Sequence, residues 1–247
     1  EFVQVVADNA LASGLEGGAN GEDIEAVLDM NGLKELLVEK TATIGEKLSV
    51  RRFAKVTGDC VASYLHAGGK IGVLVAGTGA SDVKEALTNV AMQIAAMNPQ
   101  YISRTEISAD ELAKIREITV DSALNDPASL PKPIQNELYT KVETEKLFSE
   151  EDLAILAEKK NDKYLYNFLS KEAIAKLAEL ALAGKAAYVE NKIFAGLVEG
   201  RISKQIKDIS LLDQTYVKAE DGKQTVAKYL ESVNKDLAIT KFVRFEV

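Results

Sequence analysis

The chain has 247 residues, of which 47% are hydrophobic and 28% charged, so it is long enough to bury a core in one or two domains. Its formal charge is −8, and the basic residues form no block of the kind that nucleic-acid binding needs. One cysteine and one histidine exclude an internal disulfide, a CxxC site and a His/Cys zinc site. The longest apolar run, at 71–76, is too short to cross a bilayer, and with no signal-peptide pattern we expect a cytoplasmic protein.

The first 43 residues have the pattern of helices. Hydrophobic residues recur at helical spacing over 2–13, and four glycines between positions 14 and 21 interrupt the pattern. A second helical pattern runs over 23–43 and contains Gly32, which predicts a break within it.

The next segment is typical of β-structure. Alternation of apolar and polar residues over 47–57 predicts a strand. The sequence that follows predicts two strands, over 60–67 and 70–76, joined by a Gly68-Gly69 turn. Asp82 with Glu85 three residues later predicts the cap of a helix that stops at Asn98-Pro99. A short edge strand is also expected at Tyr101-Ile102.

Helical patterns dominate from about residue 105 to residue 197. Ser108 with Glu111 and Ser149 with Asp152 predict two capped helices, and the region as a whole predicts a helical insertion, such as a protruding hairpin. A short helix is expected over 225–233 and a strand over 238–247. Because this last strand resembles the hairpin at 60–76 in composition, we expect the helical region to be inserted within one sheet domain of an α+β fold.

Few residues in the sequence point to chemistry. Gly77-Thr-Gly79 follows an apolar strand, as in a dinucleotide-binding loop, but Asp82 replaces the third glycine, and a strand-to-helix turn is the favoured interpretation. Cys60 is interpreted as a small buried hydrophobe, and His66 at the hairpin turn suggests no reaction by itself. Arg51, Arg52 and Lys55 are interpreted as a solvated or salt-bridged strand flank. The residues therefore favour an interaction function over catalysis.

Seven segments together resemble one family, elongation factor Ts. They are Ile44-Gly-Glu46, Val50-Arg-Arg-Phe53, Ser63-Tyr-Leu-His66, Lys70-Ile-Gly-Val-Leu-Val75, Ala91-Met-Gln-Ile-Ala-Ala96 followed by Pro99, Val198-Glu-Gly-Arg201, and Lys241-Phe-Val-Arg-Phe-Glu-Val247. The resemblance covers residues 44–102 and 197–247 and runs in the family's order.

The resemblance implies an α+β fold of two subdomains, each with a small antiparallel sheet packed on helices, and a coiled-coil-like insertion in the second. The boundaries would be 1–59 for the first subdomain, 60–104 with 202–247 for the second, and 105–201 for the insertion, which is longer than is usual in the family. Because the chain starts at Glu1 rather than Met, we expect a fragment that lacks the family's N-terminal module and its Thr-Asp-Phe-Val motif.

The resemblance also implies a function. Members of this family are guanine nucleotide exchange factors that bind elongation factor Tu and promote GDP release without a cofactor or an active site of their own. Ile44, Gly45 and His66 match positions that face the partner's G domain. Residues 211–217 and the region near Lys223 would face its third domain, and related proteins also self-associate.

Two other functions remain open at this point. One is a structural or adaptor protein whose helical insertion recruits a different partner. The other is a nucleotide-dependent oxidoreductase that uses Gly77 and Gly79.

Overall fold

The computed structural model describes residues 2–247 and divides the chain into two compact units. The sheet unit comprises residues 2–103 and 209–247, and the helical unit comprises 104–208. The described residues contain eleven α-helices and three strands: α1 Phe2–Ser13, α2 Ile24–Leu28, α3 Leu33–Ile44, β1 Cys60–His66, β2 Ile71–Thr78, α4 Lys84–Met97, α5 Ala109–Leu124, α6 Lys132–Glu145, α7 Glu150–Lys159, α8 Lys171–Ala183, α9 Lys185–Val189, α10 Lys192–Ile209, α11 Val226–Val233 and β3 Ala238–Glu246. The α+β class is confirmed.

The three strands form one antiparallel sheet in the order β1-β2-β3. His66 at the end of β1 lies opposite Ile71 at the start of β2, and Ile71 in turn lies opposite Glu246 of β3. The prediction that the final strand returns to the hairpin is therefore confirmed, because β3 pairs along the whole of β2.

The main core of the sheet unit lies between α4 and one face of the sheet. Alternation along the strands points Val73 and Val75 to this face, where they are almost completely buried together with Leu87, Val90 and Ile94 of α4. The prediction that Cys60 is buried is confirmed as well. Removing these side chains from water is the main driving force that holds α4 on the sheet.

A smaller core joins the first three helices. Its buried members are Val6, Ala10, Val27, Leu28 and Leu33. The predicted break at Gly32 is confirmed, since this glycine has a φ of +73° immediately before α3, in the left-handed region that other residues avoid.

The predicted strand over 47–57, and with it a sheet in the first subdomain, is wrong. Among the residues that the structure describes, the segment makes one β-bridge, between Ala54 and Gly17, flanked by the hydrogen bonds from Gly18 N to Phe53 O (2.8 Å) and from Lys55 N to Glu16 O (2.9 Å). Its partner is the glycine-rich loop after α1, in which Gly17 and Gly21 have positive φ. Such residues turn the chain, so the pairing cannot extend into a ladder.

Three other local predictions are corrected by the structure. The hairpin connection is four residues, Ala67 to Lys70, rather than a two-residue Gly-Gly turn, because Ala67 takes a positive φ together with both glycines. Asp82 does not cap α4; Val83 lies at the N-cap position, without a side-chain hydrogen bond. Tyr101 forms only an isolated bridge, with Ser210, in place of an edge strand.

The helical unit has a core of its own. The predicted caps are confirmed: Ser108 Oγ accepts from Glu111 N at 3.2 Å, and Ser149 Oγ accepts from Asp152 N at 3.1 Å. The predicted helical character of this region is confirmed, but it folds as six α-helices, α5–α10, with buried side chains in each, rather than as a hairpin or a coiled coil. The buried side chains include Leu124, Leu138, Tyr139, Leu156, Leu177 and Phe194.

One buried carboxylate links two helices of this unit. Asp152 is only 6% exposed, and it accepts hydrogen bonds from Ser149 Oγ (2.7 Å), Ser170 N (2.9 Å) and Ser170 Oγ (2.7 Å). Ser149 caps α7 and Ser170 caps α8, so Asp152 fixes both helix starts. Burial raises the pKa of Asp152, but the hydrogen bonds outweigh burial and hold the pKa below its usual value.

Within residues 2–247, each helix is too short or too polar to span a lipid bilayer.

Candidate protein-binding surface

Ile44 and Gly45 form the C-terminal end of α3. Gly45 has a φ of +80°, and its N–H donates to the carbonyl of Thr41 at 2.9 Å, which is the usual left-handed end of a helix. Because the chain turns away at this glycine, Ile44 is left at the end of the helix with 57% of its surface exposed. An exposed isoleucine at a fixed helix end is suited to contact with another protein.

Ile44 lines an open, mainly apolar groove of about 630 Å³ within the sheet unit. The groove brings together α1, α3, the extended segment after α3 and the end of β3. Its lining residues are Phe2, Val3, Val6, Ala7, Leu37, Lys40, Ile44, Leu48, Ser49, Val50, Arg51, Arg52, Phe53, Phe245 and Val247. All the charged residues in this lining, Lys40, Arg51 and Arg52, are cationic, so the groove combines an apolar surface with positive charge.

Arg52 fixes the position of the extended segment against the sheet. Its guanidinium lies 4.5 Å from the centroid of the Phe245 ring, and its Nη2 donates to the carbonyl of Glu246 at 3.0 Å. The sequence alone indicates for Arg52 only a place in a solvated or salt-bridged strand flank. Its role in joining two walls of the groove depends on a residue almost two hundred positions away, and no local pattern signals it.

His66 is the last residue of β1 in the same unit. The imidazole is exposed, and its Nδ1 is 3.0 Å from the hydroxyl of Tyr64. His66 does not line the groove, but the hairpin connection next to it is joined to the groove through Val247, whose N–H donates to Lys70 O at 3.0 Å. Ile44, Gly45 and His66 therefore lie in the same unit, with His66 outside the groove.

Comparisons with a family model and with individual proteins point to the same family. The sequence model of the family Elongation factor TS matches residues 1–247. The chain belongs to the elongation factor Ts family. A relative from Clostridioides difficile (strain 630), named Elongation factor Ts, is 35% identical over 257 aligned residues, which include 100% of this chain and 63% of the relative. A relative of the same name from Pediococcus pentosaceus is 33% identical over 253 residues, with the same coverage. The chain thus spans about 63% of the length of these relatives.

Gln93 lies in the segment of α4 that resembles elongation factor Ts, and its buried side-chain amide holds a distant loop. Gln93 donates from Nε2 to Gln214 Oε1 (3.0 Å) and to Thr215 O (3.1 Å), and its Oε1 accepts from Val217 N at 2.8 Å. These bonds fix residues 214–217, part of the segment that the resemblance to elongation factor Ts relates to a partner's third domain. No local sequence pattern indicates this role of Gln93, because its partners lie more than 120 residues away.

The region near Lys223 has a defined turn. Asp221 Oδ1 accepts from the backbone N–H groups of Lys223 (2.8 Å) and Gln224 (2.9 Å), and these bonds lower the pKa of its carboxyl. The turn leaves Lys223 exposed.

The glycines that suggested a dinucleotide loop have a packing role. Gly79 has a φ of +88°, and a Cβ atom there would overlap the carbonyl oxygen of Asp236. Its N–H donates to Asp59 Oδ2 at 2.7 Å, so this amide is already bound to a carboxylate. A carboxylate at that amide would also repel a phosphate group. These contacts favour the strand-to-helix turn over the oxidoreductase alternative.

Proposed function

We propose that this chain is the core of a guanine nucleotide exchange factor that acts in translation elongation in the cytoplasm. It binds elongation factor Tu and promotes GDP release by disturbing the magnesium and phosphate sites of that protein. It acts through protein–protein binding rather than as an enzyme, and it needs no cofactor of its own. Family membership supports the role in elongation, and the exposed groove beside Ile44 is the observation that carries the binding proposal.

The groove has the properties of a site for an amphipathic helix. Large apolar patches on a protein surface usually mark interaction sites, and here the exposed side chain of Ile44 (57% exposed) lies in one groove lining with the partly buried Leu37 and Leu48. Lys40, Arg51 and Arg52 add positive charge to the lining. The complementary partner surface is a helix with an apolar stripe and acidic residues beside it.

The three residues that the resemblance identifies have separate roles in this proposal. Ile44 inserts its side chain between elements of the partner's G domain, and Gly45 lets the chain turn so that the partner can approach closely. His66 contacts the same domain from the end of the hairpin. None of these residues touches the nucleotide, so an exchange factor with a net charge of −8 needs no basic phosphate-binding site.

The proposed mechanism is thermodynamic linkage. An exchange factor that binds nucleotide-free elongation factor Tu more tightly than the GDP-bound form must weaken GDP binding by the same factor. Displacing the magnesium ion removes the charge that offsets the phosphates, and moving the phosphate loop removes the amides that cradle them. Only contacts that differ between the two states of the partner produce this effect.

We further propose that residues 1–59 act as one subdomain, residues 60–104 with 202–247 as a second, and residues 105–201 as an insertion that is dispensable for nucleotide exchange. The separate core of the helical unit is consistent with an insertion that folds by itself. The adaptor alternative differs in giving the binding function to this unit.

The direct test is the release rate of fluorescent GDP from elongation factor Tu of the same organism, with and without this chain. We expect the chain to accelerate release, with EDTA, which removes magnesium, as the positive control for the assay. If the chain binds elongation factor Tu without changing the rate, the adaptor function replaces exchange. If it neither binds nor accelerates release, the proposed function of this chain is wrong.

A further inference from the structure

Tyr64 and His66 lie on the same face of β1, two residues apart, where alternate side chains of a strand are neighbours. The Tyr64 hydroxyl is 3.0 Å from His66 Nδ1, and the two ring centroids are 5.9 Å apart at an angle of 36°. This contact joins a residue of the core to the exposed imidazole.

The two partners of this contact differ in how firmly they are held. Tyr64 is partly buried, packs against the main core of the sheet unit and lies opposite Val73, which is 2% exposed. His66 is exposed and ends the strand. The tyrosine ring can therefore hold the imidazole, whereas the imidazole contributes little to holding the tyrosine.

We propose that Tyr64 is a positioning residue for His66, and that it selects the tautomer in which Nδ1 accepts and Nε2 carries the proton. The Tyr64 hydroxyl could donate to an unprotonated Nδ1 or accept from a protonated one. Donation is favoured, because a phenol O–H is a better donor than a neutral imidazole N–H and the imidazole lone pair is a better acceptor than the phenol oxygen. Nε2–H is then the group left to bind a partner, and its complement is an acceptor oxygen, either a carbonyl or a carboxylate. This inference rests on the proposed function, since it concerns the contact that His66 makes.

The carboxylate of Glu246, at the same end of the sheet, is engaged by another group. Glu246 lies on the far side of Ile71 from His66, and its Oε2 accepts from Arg244 Nη1 at 2.8 Å. Because this carboxylate is engaged by an arginine of its own strand, the neighbouring hydroxyl is the group that orients His66.

The free protein offers a direct measurement of the tautomer. His66 is the single histidine of the chain, so the imidazole ¹⁵N signals of a histidine-labelled sample belong to it without further assignment. We expect shifts typical of an unprotonated Nδ1 and a protonated Nε2 at a pH where the ring is neutral. Tyr64→Phe keeps the ring in the core and removes only the hydroxyl, and it should move both shifts toward a mixture of tautomers.

The functional readout is GDP release from elongation factor Tu. Tyr64→Phe should slow the exchange that the chain promotes by about two- to tenfold, the usual effect of one hydrogen bond. Tyr64→Phe should add no further slowing in a His66→Ala background, because the hydroxyl acts through the imidazole. Tyr164→Phe removes an exposed hydroxyl from the helical unit, and it should leave both the ¹⁵N shifts and the exchange rate unchanged.

The outcomes separate the two proposals. If His66→Ala slows exchange while Tyr64→Phe changes neither the shifts nor the rate, the positioning role is wrong and the proposed function stands. Wild-type shifts that indicate a protonated Nδ1 also overturn the positioning role. If His66→Ala exchanges as fast as the wild type, the proposed His66 contact is wrong, and the role of Tyr64 in binding is lost with it.

Discussion

The guanidinium of Arg52 lies 4.5 Å from the centroid of the Phe245 ring and donates to the adjacent carbonyl of Glu246. Through this pair, an extended segment with only one β-bridge is attached to the last strand of the sheet. Both residues line the groove beside Ile44. The shape of the proposed binding surface therefore depends on this contact.

Replacing Arg52 by alanine should lower the free energy of unfolding by about 1 kcal/mol, because a partly exposed cation–π contact and one hydrogen bond are lost. Urea titration monitored by circular dichroism measures the change. Arg51→Ala is the matched control, since Arg51 is more exposed and also lines the groove. Equal losses for the two variants would show that the Phe245 contact contributes no stability.

Ile44→Ala should reduce the exchange activity of the chain by about five- to thirtyfold, because a central apolar contact at an interface is worth about 1–2 kcal/mol. Stability should change little, since Ile44 is more than half exposed. The measurement is GDP release from elongation factor Tu at a limiting concentration of the chain.

Val38→Ala is the matched control for Ile44→Ala. Val38 lies on the same helix with 69% of its surface exposed, but it does not line the groove. We expect exchange at the wild-type rate. A similar loss in both variants would argue against a specific role for the groove.

Asp152→Asn should lower the free energy of unfolding by about 1–3 kcal/mol at pH 7, because a charged acceptor shared by two helix caps is replaced by a neutral one. The folded-state pKa of Asp152 is lowered, so its stabilising contribution is complete above the usual aspartate pKa of 3.8 and is lost as pH falls through the folded value. The difference between wild type and variant should therefore shrink below about pH 4.

Denaturant titrations at pH 7 and at pH 3 measure this difference. Glu151→Gln is the control, because Glu151 is the preceding residue in the same helical turn but is exposed. It should change stability by less than about 0.5 kcal/mol. A pH-independent difference for Asp152→Asn would contradict a role for the carboxylate charge.

Gly79→Ala should lower the free energy of unfolding by about 2–4 kcal/mol, because the new methyl group overlaps Asp236 O and the backbone has a positive φ. Gly69→Ala separates the two causes, since its φ of +91° is similar and its Cβ would meet no atom within 4 Å. It should cost about 1–2 kcal/mol, from backbone strain alone. Thermal unfolding of both variants measures the costs, and equal costs would exclude the packing role of Gly79.

The sequence predicts the helices and strands of the sheet unit better than it predicts the contacts that form the candidate binding surface. The hairpin, α4 and β3 follow from alternation and helical spacing, which are local properties, and the return of β3 follows from its composition. The strand expected over 47–57 fails for a physical reason. Alternation records which side chains are buried, but it does not record whether a neighbouring segment can form a ladder, and Gly17 and Gly21 prevent one.

The contacts of the candidate site are harder to predict because they join distant residues. Ile44, Gly45 and His66 were found through family resemblance, whereas the Arg52–Phe245 contact and the Gln93 bonds needed the fold. In the helical unit, capping serines are readable from their spacing, but the second cap that Asp152 binds, at Ser170, is 18 residues away. Caps and helical periodicity predict the starts of α5 and α7, but they do not give the number of helices in this unit or how the six pack.

The proposed function requires that this chain binds the nucleotide-free form of elongation factor Tu more tightly than the GDP-bound form. The most direct measurement is its dissociation constant for each form, by calorimetry with the same preparation of both proteins. Linkage predicts tighter binding to the nucleotide-free form, by the same factor as that by which the saturating chain weakens GDP affinity. Equal dissociation constants for the two forms would contradict the account, because a ligand that binds both states equally shifts no equilibrium.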